Sequence, residues 1–429
     1  MTKSLVLLAG AALSLSGVAM AAEPTTINKD EVRAVVAEML ADAETRSSLL
    51  QGGATAGHDG KFFIASSDGN FRLNVGGQIQ FRYLLNFSDD DNTVTNDDFD
   101  TGFQTRRTKL DFTGHVINPD WTYRVLSSFN RADGASNLEE AYVEYNAGDG
   151  FRARWGQFKL PLLREELVSS TSQLAAERSI TNEAFTQDRS QGVQLSWGGE
   201  EWNFKFAFSD GLDSENTDVT AGSGSGFAVT GEADYAFTGR FEYKFDGSWD
   251  NFKDFTAPQG QAFAALLGIA AHWQESQNTN APTDVDRDTF QYTADLSFEG
   301  DGWNVFGAFI GRHDEFSTLG AADAETDDFG GVVQVGWRFA ADTELFARWD
   351  AIFADDDRGL ENDSYNFITV GFNQYYAGHA AKATIDAIIA LEETNDLVGF
   401  GFFPNTGTGL RGDSDSGEVT VRFQFQLLF

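Results

Sequence analysis

The residues from Glu418 to Phe429, EVTVRFQFQLLF, constrain the fold more than any other stretch of the chain. Val419, Val421, Phe423, Phe425, Leu427 and Phe429 alternate with Glu418, Thr420, Arg422, Gln424, Gln426 and Leu428. Successive side chains of a strand point to opposite faces, so this segment has one apolar face and one almost wholly polar face. A strand of a soluble sandwich can alternate too, but it rarely shows three phenylalanines on its outer side. In a bilayer every backbone group must be satisfied internally, and a sheet can do that only by closing into a barrel. One strand of such a barrel is about ten residues of apolar-out, polar-in alternation.

The same period recurs through the chain. Phe71, Leu73, Val75, Ile79, Phe81, Tyr83, Leu85 and Phe87 share one face, and Arg72, Asn74, Gln78, Gln80, Arg82 and Asn86 share the other. Fifteen more segments follow, near 103–116, 121–130, 138–146, 151–159, 190–198, 201–209, 233–245, 261–273, 289–299, 303–313, 329–339, 343–353, 365–376, 379–390 and 418–429. Short connections (117–120, 147–150, 198–200, 300–302, 340–342) alternate with long ones that carry most of the acidic clusters, such as Asp89 to Asp91 and Asp355 to Asp357. Short periplasmic turns and long outer loops are the connections of an outer-membrane barrel. Trp121, Phe151, Trp202 and Trp303 each follow a short turn on the apolar face, where an interfacial aromatic girdle sits. The predicted fold is all-β: a sixteen-stranded antiparallel transmembrane β-barrel, wide enough for a water-filled lumen. Residues 246–260 are read as a long periplasmic turn.

The front of the chain is different. Met1 to Lys3 is a short positive start, Ser4 to Val18 is apolar, and Ala19-Met20-Ala21 is a small-residue cleavage site. Residues 1–21 therefore read as a signal peptide, and the expected location is the bacterial outer membrane. Residues 22–60 read as a periplasmic helical segment and linker. Asp30 can cap a helix, and Val32, Val35, Val36, Met39 and Leu40 recur at helical spacing. Val32, Val36, Met39 and Ala43 also fit a heptad seam broken by Arg46, so a coiled coil joining subunits and a simple tether are both open. Gly52 to Gly60 reads as a small-residue linker, and 61–429 as the barrel.

Charge narrows the partners. Thirty Lys and Arg against 66 Asp and Glu give a formal charge of −36, which argues against nucleic acid. There is no cysteine, so neither disulfides nor thiolate chemistry enter. His58, His115, His272, His313 and His379 are scattered, with no nucleophile motif or metal-ligand spacing. No catalytic site, cofactor or metal is expected.

The connection from Leu160 to Arg189 stands apart. It mixes Arg164, Glu165, Glu166, Glu177, Arg178, Asp188 and Arg189 with Leu162, Leu163, Leu167, Leu174 and Phe185. A loop that is partly apolar and of mixed charge can pack against a wall, and here it is expected to fold inward and narrow the lumen.

Around this loop the residues resemble a family. Glu140-Ala141-Tyr142-Val143-Glu144-Tyr145, Phe151 to Pro161 (FRARWGQFKLP), Glu177-Arg178, Asp188-Arg189 and Gly192-Val193 resemble the phosphate-selective porin O and P family. So do Phe103 with Arg106-Arg107, and Gly371-Phe372-Asn373-Gln374-Tyr375-Tyr376 followed by His379 and Lys382. Leu162 departs from the aromatic common there, and the acidity of the chain departs further. The resemblance implies a homotrimeric channel.

Alternation assigns the inward charges without the family. Charge on the lipid face costs about 2–4 kcal/mol at the midplane, so strand cations must point into the lumen. That set is Arg72, Arg82, Arg107, Lys109, Arg124, Arg152, Arg154, Lys205, Arg312, Arg338, Arg348, Lys382 and Arg422, faced by acids such as Asp111, Glu140, Glu144, Asp350 and Asp386. The candidate channel-lining and constriction residues are Arg107, Lys109, Arg124, Arg152, Arg154, Lys159, Arg164, Arg178, Arg189 and Lys205. Rings of Arg and Lys select anions. The expected function is passive diffusion of small hydrophilic solutes and ions, phosphate or other anions among them. An adhesin barrel and a cation-preferring general pore are the alternatives. The expected partners are outer-membrane lipid, small hydrophilic or anionic solutes and further copies of the chain.

Overall fold

The computed structural model describes residues 53–89, 98–212, 214, 216, 233–275, 285–318, 324–395, 397, 407–412 and 414–429. The expected signal peptide and helical segment lie outside the described residues. A hairpin comes first, β1 (Thr55–Asp59) and β2 (Lys61–Ala65). Sixteen strands follow: β3 (Arg72–Phe87), β4 (Phe99–His115), β5 (Trp121–Phe129), β6 (Ser136–Gly148), β7 (Phe151–Lys159), β8 (Arg189–Gly198), β9 (Trp202–Ser209), β10 (Tyr235–Asp246), β11 (Ala264–Glu275), β12 (Val285–Gly300), β13 (Trp303–Thr318), β14 (Ala324–Ala340), β15 (Thr343–Phe353), β16 (Ser364–Tyr375), β17 (Ala381–Ala390) and β18 (Glu418–Leu428). Each pairs antiparallel with the next, and β18 pairs with β3 from Val419↔Phe87 to Leu428↔Gln78. The barrel is closed, with sixteen strands as the alternation predicts.

The linker reading of residues 52–60 is corrected. Thr55–Asp59 is a strand, folded on β2 through a turn at Gly60, whose φ of +70° suits glycine. β2 pairs with Arg72 to Val75, the part of β3 that lies beyond its last partner on β18. It thus covers a sheet edge that would otherwise be open. The hairpin escapes a period-two search because its glycines interrupt the alternation.

Faces follow the parity. Ile79, Phe81, Trp155, Phe309, Val333, Trp349 and Phe425 are exposed, while Gln80, Arg82, Arg240, Arg348, Asp386 and Arg422 are buried inside. Apolar residues face outward and charged ones inward, as a bilayer demands. The wall is uneven. β5, β7 and β9 have 9, 9 and 8 residues, whereas β12, β13 and β14 have 16, 16 and 17.

Among the described residues several connections reach into the lumen, the β17–β18 connection among them through buried Leu397 and Leu410 and through the Gly407 and Thr408 carbonyls, which accept from Arg82 and Arg422; two of the others matter most here. The first, residues 160–188, carries α1 (Arg164–Leu167) and α2 (Ile180–Phe185), the latter capped by Ser179, which accepts from the Asn182 amide. Leu162, Leu163, Ile180 and Phe185 pack on Ile310, Ile352, Tyr365, Phe367 and Ile388, inward-facing apolar residues of β13 and β15–β17. The second is the long periplasmic turn at 247–263. Its Phe255 joins Val168, Leu174 and Ala175 of the loop against Phe306, Val332 and Phe346.

Candidate channel and its constriction

Because the apolar residues of these two inward segments pack on β13–β17, the open space lies along β3–β9. Three cavities line up there. The outer one, about 850 Å³, lies between the start of β4, the end of β5 and the inward loop. The middle one, about 620 Å³, runs down to the hairpin and Phe429. The third, about 760 Å³, lies at the periplasmic ends of β7–β9. The outer and middle cavities share Lys109, Lys159, Ser170 and Arg189. Those four residues form a collar between the two spaces.

The collar is a set of charge-assisted hydrogen bonds. Lys109 Nζ lies 2.5 Å from Glu139, and Arg189 Nη2 lies 3.0 Å from the same carboxylate oxygen. Lys159 Nζ bonds Glu166 Oε1 at 2.7 Å. Below it, Arg124 bridges Asp111 and Glu140 at 2.9 and 2.8 Å, and Arg154 binds Glu144 at 2.7 Å while stacking on Tyr142. Above it, Arg107 binds Glu177 at 2.7 Å. Lys205 approaches Glu242 at 3.7 Å. Arg152 is exposed, and its side chain makes no hydrogen bond or ion pair among the described residues.

All ten candidate residues therefore border one of the three cavities, but two of them are braces. Arg164 is buried, donating to Ser297 Oγ and to the Phe252 carbonyl. Arg178 donates to the carbonyls of Glu165, Glu166 and Val168, which ties the loop to itself.

Other residues were not legible from parity. Two β-bulges matter here, since an extra residue re-aims its neighbours. In β4 the register passes from Gln80↔Arg107 to Phe81↔Thr105, skipping Arg106. In β6 it passes from Leu126↔Glu140 to Ser127↔Leu138, skipping Glu139. Each bulge puts two consecutive charged residues at the lumen. Arg106, Arg107 and Arg82 close on one loop carboxylate, Glu177, with the Arg82 contact at 2.6 Å. Burial alone would raise the Glu177 carboxyl; Arg106, Arg107 and Arg82 hold it well below the usual carboxylate range. Arg240 needed no bulge to be found. It lies at inward parity on β10 and binds Asp295 at 2.8 Å and the Leu162 carbonyl.

The loop is held from the other side by carbonyl-directed donors. Arg348 reaches the Glu177 and Arg178 carbonyls, Lys382 that of Gln173, Asn373 that of Leu174, and Arg312 that of Ala184. A closed sixteen-strand barrel with a clamped inward loop is one half of an identification. The other half is that residues 74–297, just over half of the chain, match the family described as phosphate-selective porin O and P. The chain belongs to that family.

Solved porin structures share the fold. An anion-selective porin from Comamonas acidovorans matches at a TM-score of 0.55 and 12% identity, over 83% of this chain and 99% of that one. The outer membrane channel DcaP of Acinetobacter baumannii matches at 0.56 and 13%, over 85% and 99%. OmpT of Vibrio cholerae in its trimer form matches at 0.51 and 10%, over 83% and 99%. No curated protein matches the chain in sequence. The porin is thus an outer-membrane channel through which small hydrophilic solutes and ions diffuse.

Proposed function

We propose that this porin prefers anions, phosphate among them, and that its selectivity is set at the collar of Lys109, Lys159 and Arg189. One observation carries the reading. The outer cavity is lined by Arg106, Arg107, Lys109, Arg131, Lys159, Arg178 and Arg189 against only Glu139, Glu166, Glu183 and Asp188, in a chain whose formal charge is −36. Exposed loop carboxylates are screened beyond about 8 Å at physiological salt, while charges in a narrow, low-dielectric passage are not. Local excess, not total charge, therefore governs passage.

Export by a signal peptide at residues 1–21 and assembly as a homotrimer belong to the same proposal. The trimer form of the Vibrio cholerae neighbour supports the second. The test is the reversal potential in planar bilayers under gradients of potassium chloride and potassium phosphate. Anion preference that grows with salt is the expected result. Cation preference at every concentration would favour the general cation-preferring pore.

A further inference from the structure

The periplasmic turn at 247–263 is longer than any other connection on its side of the barrel, and it does not stay at the rim. Trp249 Nε1 bonds the Gly199 carbonyl at 3.3 Å. Residues Asn251–Lys253 form one 3₁₀ turn that drives Phe252 and Phe255 inward, to 5% and 3% exposure. Phe255 meets Phe306 at a ring distance of 4.8 Å, and Thr256 Oγ1 bonds Glu344 at 2.9 Å. Asp254 faces His379 at 3.3 Å, and Gln261 bonds Glu299 at 2.7 Å. Arg164 joins the turn to the inward loop, donating to the Phe252 carbonyl at 2.9 Å while its guanidinium lies near the Phe252 and Phe255 rings.

These contacts fill the half of the periplasmic mouth beside β11–β15. The third cavity is what remains, with Arg152, Asn203 and Lys205 on one side and Trp249, Asp250 and Lys253 on the other. Its charges largely cancel in pairs: Lys205 faces Glu242, and Lys253 binds Asp250 at 2.5 Å. Arg152 has no such partner among the described residues and stands exposed to the cavity.

We propose that this turn makes a second, exit-side filter, in which small hydrated anions pass between Arg152 and the Trp249–Lys253 edge after leaving the collar. The proposal rests on the channel reading above. The exit differs from the collar in construction. The collar sets Lys109, Lys159 and Arg189 around the passage and fixes them through Glu139 and Glu166. The exit sets the exposed, uncompensated Arg152 guanidinium, with Arg164 buried behind it, against an edge built around Trp249.

The absence of cysteine makes the test clean. Asp250→Cys and, on the exposed far side of the same turn, Gln259→Cys are reconstituted and treated with a thiol-reactive trimethylammonium or sulfonate reagent, with labelling confirmed by mass. Labelled Asp250→Cys should lose about half its single-channel conductance, and the sulfonate label should lower the anion-to-cation permeability ratio more than the ammonium label does. Labelled Gln259→Cys should conduct as before. Arg152→Ala should lower the permeability ratio about two-fold with little change in conductance. Fully labelled Asp250→Cys that conducts normally, or Arg152→Ala with an unchanged ratio, overturns the exit filter while the channel stands. Absence of conductance in the unsubstituted protein would instead overturn the channel reading itself.

Discussion

The two walls of this barrel use the same residue types for opposite ends. On β11–β18, inward parity brings Ile310, Phe306, Val332, Phe346, Ile352, Phe367 and Ile388 into the lumen, and cations such as Arg312, Arg348 and Lys382 donate to backbone carbonyls of the loop. On β3–β9 the buried inward apolar residues are few, Phe158 and Ala207 among them, and Lys109, Arg124, Arg154 and Arg189 border open cavities. One wall is a scaffold and the other a conduit. An arginine count on lumen-facing positions cannot tell them apart. The apolar residues interleaved with the arginines can, because they mark where another segment docks.

The most severe way to break this contrast is to remove the docked segment. Deleting Gln173 to Asn182 should expose the scaffold wall and raise single-channel conductance about two-fold or more. Unchanged conductance would show that the loop does not narrow the pore. Next, Glu177→Ala strands Arg82, Arg106 and Arg107 around an empty centre. Removing one partner from a buried ionic cluster costs about 3–5 kcal/mol, so the folded barrel should lose its heat resistance on gels at a clearly lower temperature.

A paired comparison sharpens the contrast further. Arg189→Ala, on the conduit wall, should shift the reversal potential toward cations. Arg348→Ala, on the scaffold wall, should reduce stability and leave selectivity near that of the parent. Equal shifts in the two would erase the distinction. The smallest effect expected is on pH. Burial, reinforced by Glu177, pushes the Glu183 carboxyl up to about 7, with Arg178 and Arg106 opposing and Glu166 adding to the rise. Glu183 borders the outer cavity. Below that pH it is neutral and the cavity gains net positive charge, so anion preference should increase as pH falls from 8 to 6. Glu183→Gln should diminish that response, and a response of undiminished size in the variant would rule this carboxyl out.

The barrel itself was legible because its signal is local. Each strand repeats a period of two, and the aromatic after most of the short turns marks an interface. All sixteen segments correspond to strands, with ends moved by a few residues, as at β14. The site was legible only where parity holds. Lys109, Arg124 and Arg154 follow it, but Glu139 and Arg106 owe their inward aim to bulges, whose positions depend on the partner strand's register. Glu177 and Glu183 lie on a loop with no period at all. Arg164 shows the opposite failure: its charge and place suggested water, and only the Phe252 carbonyl and the Phe255 ring reveal a brace.

The seam where the barrel shuts is also where the loop is sewn in. Arg82 on β3 donates to Gln424 on β18 and to the loop carbonyl of Ala176. Gln80 bonds Gln426, and Asp386 on β17 accepts from both Arg422 and the Ala176 amide. The first and last strands of the barrel thus meet over a template supplied from the middle of the chain. Zipping β18 onto β3 and seating the loop are thereby coupled into a single cooperative event: the ring is sealed as the lumen is furnished. Pulse labelling during detergent refolding would show it, with protection of Ala176 and of the β3–β18 amides arriving in the same kinetic phase.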